Sequence, residues 1–520
     1  MKVLLLGNEA IARGAYEAGC QVATAYPGTP STEILETIAR EYRDIRSQWS
    51  PNEKVALEVA MGAAVTGVRA LAAMKHVGLN VAADPLFTFS YTGINSALVI
   101  INADDPGPWS SQNEQDNRHM ARASKVPMIE PSDPNECREF TKLAFSMSEE
   151  FDVPVIVRIT TRIAHSQGLV ELGEQEGYPE KEFIRNPEKN IMIPQFVRLR
   201  HQFKEEDQIP RLKEFSETSG LNRIEWGSNK KRGIITNSVA YQYVKETCPD
   251  ESILKIGMCW PMPTRLIHEF ASQVDEICVV EELEPYIEDY VKSLGIEVKI
   301  GKNKFSLLSE LTPEIVNNIL NNKSVVRNVP EYEKSKIPAR PPQLCAGCPH
   351  AYVYQVLKEQ DLTVNGDIGC YTLGALPPYS SMHTQGCMGA SIGMHHGMEK
   401  ARPEMARKSV AIIGDSTFVH SGITSLVNMV YNQGTGTVII LDNRTTAMTG
   451  HQEHPGTGKT LMGEETHLLD LPLLAKAVGV KRVVTVDPKE IDELRRVVKE
   501  EVAAEEPSVI ISLRKCILSK

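Results

Sequence analysis

The feature that most constrains the fold of this chain is the alternation of short apolar segments with longer, alanine-rich ones. In residues 1–165 the apolar segments VLLLG, SALVIIN and VPVIVRI are separated by stretches such as EVAMGAAVTGVRALAAM. Parallel strands need a crossover between them, and that crossover is usually a helix. The sequence therefore predicts an α/β fold built on parallel sheets.

The alternation occurs in three blocks, and a chain of 520 residues is too long for a single core. We expect parallel-sheet domains at 1–165, 231–330 and 335–520. Residues 166–230 are polar and weakly periodic, which indicates a linker region that packs over its neighbours. The proline-rich segment YEKSKIPARPPQ (332–343) favours an extended connector.

Charge and hydropathy narrow the possible partners. The net charge of −11 argues against nucleic acid or an anionic membrane, since both require a basic face. No apolar run approaches the roughly 20 residues that span a bilayer, and MKVLLLGNEA reaches a polar residue too early for a signal peptide. We therefore expect a cytoplasmic protein whose clustered cysteines serve metal or redox chemistry.

A carboxylate and an amide follow two consecutive apolar segments of the last block. Asp415 follows SVAIIG and Asn443 follows TVIILD, with a helical pattern between them. This arrangement places both side chains at the carboxyl edge of a parallel sheet, where oxygen ligands suit Mg²⁺ and a phosphate group. The alternative is that Asp415 only caps the next helix, but an Asn 28 positions later (443 − 415 = 28) favours the metal site.

A second candidate site is formed by cysteines. LCAGCPHAY contains Cys345 and Cys348 as a C-x2-C pair, and Cys370, Cys387 and Cys516 follow. This spacing fits either zinc or an iron–sulfur cluster. The segment HPGTGKT (454–460) lacks the first glycine of a phosphate-binding loop, because residue 453 is Glu, so an ATP site is excluded.

The segment GDST with the later asparagine resembles the thiamine diphosphate motif, in which a Gly-Asp-Gly precedes an Asn. Ser416 stands in place of the third residue of that motif, a glycine. Its side chain is small enough for the backbone to approach a diphosphate group closely. The stretch TTAMTGHQ would then wrap the cofactor. The cofactor residues that this resemblance implies are Gly414, Asp415, Ser416, Asn443, Thr445, Met448 and Thr449, with Asp415, Asn443 and Thr445 as the ligands of Mg²⁺.

A thiamine enzyme also needs an acid that relays a proton to the aminopyrimidine ring. Glu58 is our candidate, because Leu57, Val59 and Met61 flank it and burial would keep it protonated. The alternative is a solvated Glu58 that pairs with Lys54 on the same helix.

Six segments, taken in order, resemble the thiamine-dependent 2-oxoacid:ferredoxin oxidoreductases, in particular the α subunits that act on indolepyruvate. These segments are YPGTPSTE, NEKVALEVAMGAA, LCAGCPHAY, GDIGCYTLG, HTQGCMGASIG and LDNRTTAMTGHQ. The resemblance implies a pyrimidine-binding domain, a transketolase C-terminal-like domain and a diphosphate-binding domain, in that order. It implies that Thr29 touches the substrate and that His350 and His383 help to hold the cofactor. It also implies a [4Fe-4S] cluster on Cys345, Cys348, Cys370 and Cys516, with Cys387 as the rival fourth ligand.

The implied reaction is oxidative decarboxylation of an arylpyruvate to its acyl-coenzyme A, with electrons passed through clusters to ferredoxin. The family places the rest of the coenzyme A site in a smaller β subunit, so we expect a hetero-oligomer, α2β2. Its α subunits usually continue into a ferredoxin-like domain, whereas this sequence stops at Lys520, so we expect that module to be truncated or a separate protein. The alternatives are a non-oxidative 2-oxoacid decarboxylase or lyase and a non-catalytic subunit. Part of the substrate pocket is assigned to PWSSQNEQDNR (108–118).

Overall fold

A computed structural model describes residues 1–323, 337–338 and 341–519, so most of the connector predicted at 332–343 lies outside the described residues. The chain divides into two compact units, Met1–Val329 and Pro330–Lys520. Among the described residues, no helix is both long enough and apolar enough to cross a lipid bilayer.

The strands of the first unit form two large sheets and one small ribbon. They are β1 (Lys2–Leu6), β2 (Val22–Ala25), β3 (Arg46–Trp49), β4 (Ala70–Lys75), β5 (Leu98–Asp104), β6 (Met128–Ile129), β7 (Val155–Thr160), β8 (Gln167–Glu171), β9 (Arg223–Glu225), β10 (Asn229–Asn237), β11 (Glu251–Ile256), β12 (Met258–Trp260), β13 (Glu276–Val280) and β14 (Val298–Ile300).

The helices of the first unit follow the predicted alternation. They are α1 (Gly7–Glu17), α2 (Thr32–Glu41), α3 (Glu53–Thr66), α4 (His76–Val81), α5 (Ala83–Thr92), α6 (Arg118–Ser124), α7 (Pro134–Phe151), α8 (Thr161–His165), α9 (Pro187–Asn190), α10 (Pro194–Phe203), α11 (Ile209–Thr218), α12 (Ser238–Thr247), α13 (Thr264–Ala271), α14 (Tyr286–Ser293) and α15 (Pro313–Asn321).

Both large sheets of this unit are mainly parallel. In the described residues the first has the strand order β12-β6-β7-β5-β4-β2-β3 and the second β14-β13-β10-β11-β9. The antiparallel exceptions are β12 against β6 and β9 against β11, and β1 pairs antiparallel with β8 in the small ribbon. One apolar core contains residues of both sheets, from Leu57 to Ile235 and Phe270. The domain boundaries at 165, 230 and 330 stay predictions.

The second unit is a parallel sheet with helices on both faces. Its strands are β15 (Thr363–Gly366), β16 (Thr384–Gln385), β17 (Ser409–Gly414), β18 (Thr437–Asp442), β19 (Arg482–Val486) and β20 (Ser508–Leu513), and its helices are α16 (Pro349–Glu359), α17 (Ala390–Ala401), α18 (Asp415–Thr417), α19 (Ile423–Tyr431), α20 (Leu471–Ala477) and α21 (Ile491–Ala503).

The order of this sheet is β16-β15-β17-β18-β20-β19, and its described pairs are all parallel. Ile412 and Ile439 pack into a core with helices α16 and α21. Ile413 and Ile440 pack into a second core with α17, α19 and α20. Burial on both faces explains why the strands are apolar without alternation.

Candidate active site

Asp415 and Asn443 follow two neighbouring strands of the second unit. β17 and β18 pair in parallel with Gly414 opposite Leu441, so both side chains lie at the carboxyl edge of the sheet. Both residues are buried, and Oδ2 of Asp415 accepts a hydrogen bond of 2.9 Å from the backbone N–H of Arg444. The structure therefore brings together the two residues that the sequence places at one edge.

This edge carries a second carboxyl group and a histidine. Asp442 is the last residue of β18, and burial together with the charge of the nearby Asp415 raises the pKa of Asp442. Burial opposes ionisation of Asp415, but His454, whose Nε2 lies 3.2 Å from Oδ2, holds the pKa of Asp415 below its usual value. A carboxylate and an amide oxygen are hard ligands of the kind that Mg²⁺ prefers, so Asp415 and Asn443 fit the predicted cation.

Apart from the two histidines, the other cofactor residues predicted for this unit are buried or half-buried, except for one that is exposed. Ser416 and Thr445 are buried, and the Oγ of Ser416 accepts a hydrogen bond of 3.0 Å from Thr446. The backbone N–H of Thr445 donates to Oδ1 of Asn443 at 3.3 Å. Thr449 is half-buried and donates to Gln452, whereas Met448 is exposed.

The two predicted histidines have different surroundings. His350 is buried with Nε2 3.4 Å from Nδ2 of Asn443, and burial lowers the pKa of His350 to about 4, so its ring is neutral near pH 7. His383 is exposed and accepts a hydrogen bond from the backbone of Val364 at 3.0 Å. Through Val364 it is level with Val410, four residues before Gly414, so the structure does not bring His383 to the carboxyl edge.

Four of the five candidate cysteines lie within electrostatic range of one another. Burial, and then the thiols of Cys348, Cys516 and Cys345, raise the pKa of Cys370 to about 11. Cys387 is exposed and is not among these interacting thiols of the described chain. The backbone N–H of Cys516 donates to the carbonyl of Asn443 at 3.0 Å. This bond connects the four cysteines to the sheet edge that carries Asp415 and Asn443.

The described residues contain no group of three or more Cys, His, Asp or Glu side chains close enough to hold one metal ion. A [4Fe-4S] cluster spaces its thiolates farther apart than a single ion does, because each thiolate binds a different iron. The iron–sulfur cluster on these four thiols stays a prediction.

Glu58 of the first unit does not have the predicted burial. Its side chain is 39% exposed and forms an ion pair with Lys54, the alternative that the sequence left open. Glu53 lies in the first turn of the same helix and is only 4% exposed. It packs against Gly78, where an added Cβ would lie 2.6 Å from the Glu53 Oε1. The buried carboxyl of this helix is therefore Glu53, which the sequence analysis missed because its flanking residues are polar.

Thr29 lies in the turn between β2 and α2 and is half-buried. The segment assigned to the substrate pocket runs past the ends of the neighbouring strands β4 and β5. There the carbonyl of Ser110 accepts a hydrogen bond of 3.1 Å from Lys75, and the carbonyl of Asn113 lies 3.1 Å from Nε2 of His76.

Comparison with known proteins identifies the family. The family model described as pyruvate flavodoxin/ferredoxin oxidoreductase, thiamine diP-bdg, matches residues 13–209. The model described as thiamine pyrophosphate enzyme, C-terminal TPP binding domain, matches residues 367–512. The indolepyruvate oxidoreductase subunit IorA of Archaeoglobus fulgidus is 40% identical over 99% of this chain and 87% of its own length. The IorA of Pyrococcus horikoshii is 41% identical over 99% of this chain and 86% of its own length.

The chain belongs to the thiamine-diphosphate-dependent 2-oxoacid:ferredoxin oxidoreductases. This confirms the family, the enzyme class and the α/β fold with thiamine-diphosphate-binding domains that the sequence predicts. The 2-oxoglutarate:ferredoxin oxidoreductase from Magnetococcus marinus, solved with 2-oxoglutarate, coenzyme A and succinyl-CoA bound, has a TM-score of 0.53 and 17% identity. It covers 62% of this chain and 65% of its own, which supports the fold alone.

Three buried residues of this oxidoreductase were not predicted as part of the site. Asp442 and His454 contact Asp415, as described above. Asp367 follows β15 and accepts hydrogen bonds from the Tyr371 hydroxyl and the backbone N–H of Ser391 at the start of α17. Asp442 ends the apolar strand β18 and Asp367 follows the short strand β15, and an acidic residue at a strand end is a signal that could have found both. His454 lies in a loop with no pattern.

Proposed function

We propose that this oxidoreductase decarboxylates an arylpyruvate such as indolepyruvate, forms the acyl-coenzyme A and passes electrons through a [4Fe-4S] cluster to ferredoxin. The relatives of similar length are named for indolepyruvate, which supports this substrate. The observation that carries the proposal is that Asp415 and Asn443 follow two neighbouring parallel strands, beside a cluster of thiols.

The magnesium ion would be held by Asp415, Asn443 and Thr445, with the diphosphate of the cofactor on its open side. Bound thiamine diphosphate supplies a nucleophilic carbon for the 2-oxo group and an electron sink for the loss of carbon dioxide. His350 presents a neutral ring beside Asn443, so it can hydrogen bond there without adding charge.

We assign the proton relay to Glu53 in place of Glu58. A buried carboxyl can be held in a fixed position to hydrogen bond an aminopyrimidine nitrogen, whereas the Glu58 side chain is turned to Lys54 and partly to solvent. Glu53 has the burial that this role requires.

The cluster would be held by Cys345, Cys348, Cys370 and Cys516. Because Cys516 hydrogen bonds through its backbone to Asn443, electrons would have a short path from the cofactor edge to the cluster. The relatives are named as subunits, which supports a partner. We propose a smaller β subunit that completes the coenzyme A site, a ferredoxin or ferredoxin-like acceptor, an α2β2 assembly and a cytoplasmic location.

The test is anaerobic purification of the chain with its β subunit, followed by cofactor titration and dye reduction. We expect bound iron and acid-labile sulfide, and coenzyme A-dependent reduction of viologen by indolepyruvate. Asp415→Ala should weaken Mg²⁺-dependent thiamine diphosphate binding by about 100-fold or more, because the cation loses a charged ligand. The control Asp492→Ala, on the exposed surface of α21, should bind normally.

Two outcomes would contradict the proposal. Normal cofactor binding by Asp415→Ala would remove the magnesium assignment. Release of an aldehyde from a colourless protein, without dye reduction, would indicate the non-oxidative decarboxylase instead.

A further inference from the structure

Lys75 is the last residue of β4 and lies at the carboxyl edge of the first sheet, between β2 and β5. Its aliphatic stem packs against Gly28, in the turn that also carries Thr29. A Cβ added to Gly28 would lie 3.2 Å from Cγ and Cδ of Lys75, so the glycine leaves space for the lysine stem. The lysine is therefore adjacent to the residue that the family resemblance assigns to the substrate.

The charge of Lys75 is not neutralised by a contacting carboxylate. Its Nζ donates to the carbonyl of Ser110 at 3.1 Å, and in the described ranges it forms no ion pair. Asp105 and Glu53 act on it only through space, and burial lowers the pKa of Lys75. A half-buried cation without a bound counterion is a favourable position for an anion, because pairing would recover part of its lost hydration.

Asp105 is already satisfied by neutral donors, so it does not compete for Lys75. Its Oδ2 accepts from the Ser110 N–H at 2.9 Å, the Ser110 hydroxyl at 3.4 Å and the Ser111 hydroxyl at 2.7 Å. Its Oδ1 accepts from the Thr161 hydroxyl at 2.7 Å. These bonds hold the Ser110 carbonyl beside Lys75 and fix the direction of the ammonium group.

We propose that Lys75 binds the carboxylate of the 2-oxoacid substrate and leaves Thr29 for the 2-oxo oxygen. This inference rests on the proposed function and adds the chemical group that every substrate must carry. The pair stabilises bound substrate more than the transition state, because the negative charge leaves the carboxylate as carbon dioxide forms. Removing the Lys75 ammonium group should therefore raise KM more than it lowers kcat.

The first test uses steady-state kinetics of the complex with its β subunit. Lys75→Met should raise the KM for indolepyruvate by about 10-fold to 100-fold, the range for a lost hydrogen bond to a charged group. Its kcat should stay within about threefold, and its affinity for thiamine diphosphate should not change. Lys75→Arg should recover most of the KM, and Lys292→Met, at an exposed lysine of α14, should match wild type.

The second test measures binding without turnover. It compares the affinity of the protein for indolepropionate, which carries a carboxylate, with its affinity for the uncharged amide of the same compound. Wild type should prefer the carboxylate by about 10-fold or more, and Lys75→Met should lose that preference. A lower melting temperature with an unchanged preference would mean that Lys75 only holds the Ser110 carbonyl, which overturns the inference. If the wild-type protein keeps the preference but binds no thiamine diphosphate, the proposed function fails and the carboxylate site stands.

Discussion

Glu53 and Glu58 lie on one helix but have different surroundings. Glu53 is 4% exposed and Glu58 has a side chain that is 39% exposed and paired with Lys54. An exposed pair of this kind contributes roughly 0 to 1 kcal/mol to stability. The two positions therefore provide a matched pair of variants for the proton relay.

We expect Glu53→Gln to lower kcat by about 100-fold or more, the scale of a lost general acid, while thiamine diphosphate still binds. Glu58→Gln should stay within about twofold of wild type, since only a surface ion pair is lost. The direct measurement is hydrogen–deuterium exchange at the reactive thiazolium carbon of the bound cofactor. Slow exchange in Glu58→Gln with normal exchange in Glu53→Gln would restore the assignment made from sequence.

The sequence can predict a site residue when that residue stands at the end of a recognisable strand and a second site residue follows at a characteristic spacing. Asp415 and Asn443 meet this condition, and the structure brings them together. Glu58 has apolar neighbours in the sequence, but Leu57 and Val59 point about 100° away from it around the helix, and its own side chain reaches Lys54. Only the three-dimensional packing of α3 against α4, with Gly78 beside Glu53, shows which carboxyl is buried.

Among the elements, the linker assigned to residues 166–230 stays a prediction, but this region has more regular structure than its weak periodicity indicates. That region contains helices α10 and α11 and strand β8 in addition to extended chain. No residue of α10 is buried, although Phe196, Leu199 and Phe203 have the spacing of one helix face, so its apolar residues contribute little to a core. Its neighbour α11 buries mainly Ile209 and Leu212.

The segment that follows β20 allows the fourth cluster ligand to be tested. Cys516 interacts electrostatically with Cys348 and Cys370, while Cys387 is exposed. We expect Cys516→Ser to lose most of the iron and the visible absorption, and Cys387→Ser to keep both. Iron and sulfide analysis of anaerobically prepared protein measures the difference, and the reverse pattern would make Cys387 the ligand.

Glu282, two residues after β13, makes the stability of the protein depend on pH. It is buried, its Oε1 accepts from the backbone of Leu311 at 3.0 Å, and burial raises its pKa from 4.5 to about 7. The charged groups around it are Arg158, Glu310 and Lys302. Because the folded state binds this proton more tightly, the free energy of unfolding falls as pH rises from about 4.5 to about 7.

Glu282→Gln should therefore stabilise the protein by roughly 2 kcal/mol near pH 8 and have little effect near pH 4. Denaturant unfolding at several pH values measures this, and Glu500→Gln on the exposed surface of α21 is the control. Some pH dependence should remain, since burial also raises the pKa of Asp104, to about 6. A variant destabilised at every pH would contradict this prediction, because it would show that the Glu282 carboxyl is needed whatever its ionisation state.

At the scale of the whole molecule, the first two predicted blocks lie in one compact unit. The short strand β12 joins the sheet of the first block by pairing with β6, and the two sheets share an apolar core. Arg118 reinforces this contact through a 2.6 Å ion pair with Glu281. A three-residue strand and a buried ion pair leave no pattern in the sequence, so neither could be predicted.

This shared core predicts how the chain can be divided. Residues 1–329 and 330–520 each contain complete cores, so each fragment should fold when expressed alone and unfold cooperatively on heating. A fragment of 1–230 should not, because it exposes apolar residues such as Met128 and Ile156 that pack in the same core as Ile235 and Phe270. Circular dichroism and thermal melts distinguish these cases. Cooperative melting of 1–230 at the temperature of 1–329 would show that the first block is stable without the second.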